Sequence, residues 1–219
     1  MCNKNNILIT WISSWVWESL WDSLVEKNNI IWISRNKAKN NKIESYKIDL
    51  SKRTEIEYFC KNIVEQKYIF DVLILNAGIW EFWNFEDIDL EKYENIISVN
   101  LLANIRLLKL LEKNTPWKKS SWGILKTTKI IFIWSIISKK FMRWASVYQA
   151  SKFWLRGFAG WLKQEWKKVF IINPKIIDTG FHKDKIELWN KYPETKMEDI
   201  LSTVWNIIDW KEKRFEIDL

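Results

Sequence analysis

The sequence predicts a doubly wound α/β sandwich, and three observations carry that prediction. Short apolar runs of strand length alternate with longer amphipathic stretches of helical period. This is the order in which a sheet acquires crossover helices on both faces. At 219 residues the chain suits one domain (residues 1–219) with a sizeable core, and no internal repeat, low-complexity linker or second domain breaks the alternation. No apolar run approaches the roughly 20 residues that a membrane helix needs, so the apolar runs are strand and helix cores and no membrane partner is expected.

Taken in order, residues 7–10 form a short buried strand. It runs into Trp11-Ile12-Ser13-Ser14-Trp15-Val16-Trp17 and a helix-like Glu18-Ser19-Leu20. Residues 29–34 form the second strand, which ends at Ser34-Arg35 with no carboxylate at its tip. Residues 45–48 form the third, closing with Asp49-Leu50. Residues 54–66 read as an amphipathic helix, and residues 71–75 as the fourth strand, delivering Asn76-Ala77-Gly78 to its end. Helical periodicity then runs over residues 86–111, around Ser98-Val99-Asn100-Leu101, before a polar loop over 115–127. The apolar run 130–133 is the fifth strand, with Ser135 at its end, and a basic turn leads to the helix bearing Tyr148-Gln149-Ala150-Ser151-Lys152. Residues 169–174 form the sixth strand. Residues 180–195 are a polar segment placed where a substrate lid would sit. Residues 197–208 form a final helix, and residues 214–219 a short last strand.

Composition narrows the function classes. Two cysteines without paired spacing and a single histidine, His182, exclude a disulfide framework and a Cys/His metal cluster, so no metal site is expected. The first residues lead straight into a strand-like run without a signal-peptide core, which points to the cytoplasm. A net charge of +8 raises the question of a polyanion partner. The lysines are interspersed with glutamates, however, and the basic clusters at 37–42, 118–119 and 139–140 are short. A solvated surface accounts for them, and no nucleic-acid partner is expected.

The chemistry concentrates between Ser135 and Lys152. Tyr148 and Lys152 lie four residues apart, one helical turn over the other on one face. An ammonium beside a phenol favours phenolate and is expected to draw its pKa down from about 10, towards the range useful for proton transfer at neutral pH. Ser135, thirteen positions upstream, would be presented to that phenol by the end of its strand. On its own the Tyr-x-x-x-Lys pair is more often a plain helix surface. The serine at this spacing and the upstream motifs change that.

The anomaly of the chain is 17 tryptophans against 5 glycines. Ordinary usage of about 7% glycine would give roughly 15 in a chain of this length. The tryptophans fall where glycine is wanted. The strand-to-helix turn of a dinucleotide-binding fold needs glycine, both for unusual backbone angles and to let N–H groups approach a pyrophosphate. Here that turn reads Thr10-Trp11-x-x-x-Trp15-x-Trp17. Asn76-Ala77-Gly78-Ile79-Trp80, Arg143-Trp144-Ala145 and Ser151-Lys152-Phe153-Trp154-Leu155-Arg156-Gly157-Phe158 repeat the exchange. Trp32, Trp122 and Trp161 also stand where glycine would be unremarkable, whereas Trp189, Trp205 and Trp210 carry no such signal. One cause fits: UGA codons read as tryptophan in a chain whose source reads them as glycine.

With Gly and Trp exchanged, these stretches resemble the short-chain dehydrogenase/reductase family over nearly the whole chain. The first-loop spacing is that of its compact branch. The resemblance implies a Rossmann-like three-layer sandwich with a mostly parallel seven-stranded sheet. It also implies an Asn-Ser-Tyr-Lys tetrad, here Asn100, Ser135, Tyr148 and Lys152. Tyr148 would give a proton to the substrate oxygen, Lys152 would tune the phenol and bind the nicotinamide ribose, Ser135 would hydrogen-bond the developing alkoxide, and Asn100 would support the proton relay. Cofactor contacts are implied for Thr10, Trp11, Ser13, Ser14, Trp15, Val16 and Trp17 in the first loop, and for Asn76, Ala77 and Gly78. Asp49 and Leu50 would lie along the adenine, although Asp49 as a plain helix cap competes and both can hold. Pro174, Ile177 and Thr179 would grip the carboxamide, with Lys175 departing from the family's glycine. Arg35 favours NADP over NAD, since a guanidinium attracts a 2′-phosphate. The expected activity is carbonyl reduction or alcohol oxidation on a small molecule, by a homodimer or homotetramer. Two rivals remain at this point. One is a nucleotide sensor of the same fold without turnover; the other is a basic nucleic-acid binder stacking bases on its tryptophans.

Overall fold

The computed structural model describes residues 4–10, 23–81, 83–115, 127–141, 143–165, 167–175, 177 and 194–219. Seven strands form one sheet: β1 (Asn5–Thr10), β2 (Asn28–Ser34), β3 (Glu44–Lys47), β4 (Val72–Leu75), β5 (Lys129–Ile133), β6 (Lys168–Asn173) and β7 (Glu216–Asp218). Their order is β3-β2-β1-β4-β5-β6-β7, and every neighbouring pair is parallel. The order reverses between β1 and β4. In open sheets of this kind that switch point opens a crevice at the carboxyl ends of the strands.

Strand alternation sends apolar side chains to both faces. Leu8, Ile31, Leu73 and Phe132 enter one core with the helices α1 (Arg53–Glu65), α3 (Ala103–Leu110) and α4 (Ser146–Gln164). Ile7, Ile9, Ile74 and Ile131 enter the other, against Ile200, Val204 and Ile207 of α5 (Met197–Ile208). Sheet and two helical covers make the expected three layers.

Most element limits fall within two residues of the sequence expectation. The helix expected over 86–111 differs more. Its first residues form a 3₁₀ turn, Phe85–Asp87, and the helix proper begins as α2 (Leu90–Ile97). A π turn over Ser98–Leu102 then joins α2 to α3. Such single-turn π segments place an extra residue in the helix and frequently mark functional positions. Residues 116–126 of the polar loop expected over 115–127, and residues 180–193 of the lid expected over 180–195, lie outside the described residues.

Among the described residues, three other than glycine have a left-handed backbone: Lys67 (φ 53°), Trp144 (φ 62°) and Trp210 (φ 62°). Two of them close helices in the same way. After α1, the Lys67 N–H donates to Val64 O at 3.0 Å and the Tyr68 N–H to Ile63 O at 3.3 Å. After α5, the Trp210 N–H donates to Ile207 O at 3.2 Å and the Lys211 N–H to Asn206 O at 2.8 Å. This is the Schellman closure, whose left-handed position usually holds glycine. Lys129 adds a cap from the neighbouring strand. Its Nζ donates to Ile208 O at 2.6 Å and lies 3.8 Å from the Trp210 ring centroid.

Candidate active site

β5 is buried along its whole length, and the Trp134 N–H extends the ladder by donating to Ile172 O at 2.8 Å. The strand therefore carries Ser135 to the carboxyl edge of the sheet, where a 3₁₀ turn, Ile136–Lys139, takes over. That turn is pinned at both ends. The Ile136 N–H donates to Pro174 O at 3.0 Å, and Lys139 reaches Asp218 at 2.6 Å and Glu216 at 3.2 Å. Glu216 also accepts from Arg156 Nε and Nη2, at 2.9 Å each. Burial alone would raise this carboxyl, but the bonds from Arg156, Asn173 and Lys139 hold it down at about 2.

Tyr148 and Lys152 lie in the first two turns of α4, as their spacing requires. The Tyr148 hydroxyl shares a hydrogen bond with the Ser135 side chain, whose Oγ also accepts from the Ile137 N–H at 3.3 Å. Lys152 is buried. Its Nζ lies 5.5 Å from the Tyr148 ring centroid and 5.0 Å from that of Trp134. The expected drop in the phenol pKa is not what this geometry gives. Burial pushes Tyr148 up to about 12, with the Ser135 bond opposing it, and burial brings Lys152 down to about 8. Desolvation penalises both charged forms and is the largest cause for each group. At neutral pH the site thus holds a protonated phenol, able to donate, beside a lysine poised to lose its proton.

Asn100 sits in the π turn with its side-chain amide fully engaged. Its Oδ1 accepts from the Ile79 N–H at 2.7 Å, while its Nδ2 donates to Ile79 O at 2.9 Å and to Ser151 Oγ at 3.0 Å. The amide thus braces the segment after β4 against the Tyr148 helix. Within that segment, a Cβ on Gly78 would lie 3.2 Å from Lys152 Nζ and 3.5 Å from Asn100 Oδ1. Glycine there is a matter of space.

The other expected positions gather at the same edge, with differences in detail. Thr10 Oγ1 accepts from the Asn76 and Ala77 N–H groups at 3.1 Å each, so it ties β1 to the β4 loop. Arg35 is exposed just past the end of β2. Asp49 Oδ1 accepts from the Ser51 N–H at 2.9 Å and the Ser51 hydroxyl at 2.8 Å, closing a turn ahead of α1. The N-cap of α1 is Lys52, without a side-chain bond, so the expected Asp49 helix cap is not formed. Leu50 is buried in the core beside Ile56 and Phe59, a placement driven by apolar burial. The Pro174 carbonyl is taken by Ile136, and Ile177 packs against the α5 core. Trp11, Ser13, Ser14, Trp15, Val16, Trp17 and Thr179 lie outside the described residues. Sequence reasoning missed Ser151 and Gln149. Gln149 donates to Ile137 O at 3.5 Å and to the Lys140 carbonyl, tying the Ser135 turn to α4. Among the described residues, no acidic, histidine or cysteine group could hold a metal ion, and no helix is long and apolar enough to cross a membrane.

Solved structures similar to this chain share its fold. A short chain dehydrogenase family protein from Francisella tularensis superposes with a TM-score of 0.81 at 19% identity, over 99% of this chain and 97% of that one. An alcohol dehydrogenase from Thermococcus sibiricus, complexed with 5-hydroxy-NADP, gives 0.77 at 20% identity over 99% and 96%. A 4-hydroxyisoleucine dehydrogenase complexed with NADH gives 0.80 at 21% over 99% and 97%. In sequence, a short-chain dehydrogenase/reductase of Armillaria gallica is 35% identical over 109 residues, 50% of this chain and 40% of that relative's length. The family model described as short chain dehydrogenase matches residues 24–188, starting past the turn that carries Trp11, Trp15 and Trp17. A match of that extent, on a sheet wound in this order, means that the chain belongs to the short chain dehydrogenase family.

Proposed function

We propose that this chain is an NADP-dependent oxidoreductase that reduces a small carbonyl compound, or oxidises the corresponding alcohol, with Tyr148 as proton donor. The observation that carries the reading is the Ser135–Tyr148 hydrogen bond at the carboxyl edge of the sheet, with Lys152 buried beneath it. The described residues fit a nucleotide cofactor. Gly78 keeps side-chain bulk away from Lys152 and Asn100, and Arg35, exposed just past β2, offers a guanidinium of the kind that attracts a 2′-phosphate. When bound, the cofactor supplies the hydride. The protein's part is to hold the substrate oxygen between Ser135 and Tyr148 and to deliver the phenolic proton to it. A phenol held near 12 stays protonated until that oxygen gains negative charge. Lys152, near 8, keeps a positive charge next to the ring at neutral pH and favours the phenolate left behind.

Glycine at 11, 15 and 17, where the dinucleotide-binding motif that this sequence resembles has it, is part of the proposal. Backbone geometry elsewhere supports it. Trp144 and Trp210 occupy left-handed conformations that cost a residue with a Cβ roughly 1–2 kcal/mol and glycine nothing comparable. Trp154 and Trp161 stand 70% and 58% exposed on α4, where burial gives an indole no reason to be. Position 210, which no sequence motif marked, thereby joins the glycine set.

The test is Tyr148→Phe in a chain carrying glycine at 11, 15 and 17, assayed by NADPH oxidation with a panel of aldehydes and ketones. Turnover should fall by roughly 10²–10⁴-fold while NADPH affinity holds. Equal turnover would reject the assignment. Tight binding without turnover in the parent itself would favour the sensor.

A further inference from the structure

We infer that Ser151 is a positioning residue for Tyr148, coupling the phenol's helix to the segment that follows β4. The inference rests on the reading of Tyr148 as proton donor. Ser151 is fully buried on α4, three residues after Tyr148 and directly before Lys152. Its hydroxyl works in both directions. It donates to Tyr148 O at 2.6 Å and accepts from Asn100 Nδ2 at 3.0 Å. Asn100 in turn clamps Ile79 through both its N–H and its carbonyl, at 2.7 and 2.9 Å. An unbroken chain of hydrogen bonds therefore runs from the backbone of Tyr148, through one hydroxyl and one amide, to the segment containing Gly78.

Each link is short of alternatives. The two hydrogens of Asn100 Nδ2 are committed to Ile79 O and Ser151 Oγ, and Oδ1 to the Ile79 N–H. Without the Ser151 hydroxyl, one amide hydrogen of a buried side chain loses its acceptor. The amide can then rotate, and the two-way clamp on Ile79 goes with it. A buried serine bonding back to its own helix is ordinarily neutral or mildly unfavourable. Here the same oxygen also carries the cross-link, which a purely helical role would not require. What the hydroxyl sets is the distance between the first turn of α4 and the Asn76–Ile79 segment. Reaction rates are steep in such distances, so a shift of about 1 Å can cost roughly a hundredfold.

The experiment compares the glycine-bearing chain with its Ser151→Ala variant in two measurements, with Tyr148→Phe as the parallel control. Amide hydrogen exchange should show Ile79 opening roughly tenfold faster in Ser151→Ala, while the amides of β4 stay protected. NADPH oxidation with a carbonyl from the panel should show kcat per folded molecule falling about tenfold or more, with KM changed by less. Should Ser151→Ala not fold, Ser151→Cys keeps the side-chain size with a weaker donor and acceptor and is read the same way. Unchanged Ile79 exchange, or an unchanged kcat per folded molecule, overturns the inference. Turnover surviving in Tyr148→Phe instead overturns the assignment beneath it, so the two failures are separable.

Discussion

Gly78 and Trp144 border the same site and make opposite demands on their backbones. Gly78 has no positive φ, yet a Cβ there would press to 3.2 Å from Lys152 Nζ. Trp144, four residues before Tyr148, has a left-handed backbone at φ 62° and a half-exposed indole. At the first position the written glycine is needed for space. At the second the written residue carries a Cβ into the left-handed region, which glycine enters without that cost. Lys67 and Trp210 extend the lesson, since both occupy the left-handed position of a Schellman closure. A lysine can tolerate that position at some cost, so left-handed geometry alone does not identify a glycine. The proposal of glycine rests on the repeated choice of the bulkiest side chain.

Four measurements would break or sharpen this contrast, in falling order of effect. Replacing Trp11, Trp15 and Trp17 by glycine together should tighten NADPH binding by roughly a thousandfold, since the motif calls for backbone N–H groups to approach the pyrophosphate there. A fluorescence titration reads it, and equal affinity in both forms would remove the reason for the replacement. Lys152→Met should abolish turnover yet stabilise the fold at pH 7 by on the order of 3 kcal/mol, because a buried ammonium is lost. The sign follows from linkage. The folded-state value of about 8 lies below the ordinary 10.5, so the folded parent releases this proton first. Parental stability should therefore rise between those pH values relative to the variant, as urea melts across that window would show. Gly78→Ala should lower kcat by roughly tenfold through displacement of Lys152, with a smaller loss of stability. Trp210→Gly should stabilise by about 1 kcal/mol, the relief of φ being partly offset by the lost contact with Lys129. Lys67→Gly is the control, and thermal melts should rank it similarly.

The sheet was legible in the sequence because apolar runs such as 72–75 and 130–133 are short, bounded and interleaved with helical periods. Tyr148 and Lys152 were legible because helical spacing fixes which residues share a face. What spacing cannot carry is environment. The phenol's pKa moved up because desolvation disfavours the phenolate, a property of its surroundings and absent from a four-residue interval. The π turn at Ser98–Leu102 keeps the apolar pattern of an α-helix on either side, so residues 86–111 read as one helix. Ser151 escaped notice because its partner lies 51 positions away. Trp210 escaped notice because the usual sign of a helix end is the letter G, and another letter stands there. Its hydrogen bonds disclose the closure that its side chain conceals.

The most direct test is the residue mass at positions 11, 15, 17, 144 and 210 in the protein purified from cells that naturally make it. Peptide mass spectrometry should find glycine at all five. Tryptophan at those positions would contradict the account, and with it the nucleotide cradle on which the proposed chemistry depends.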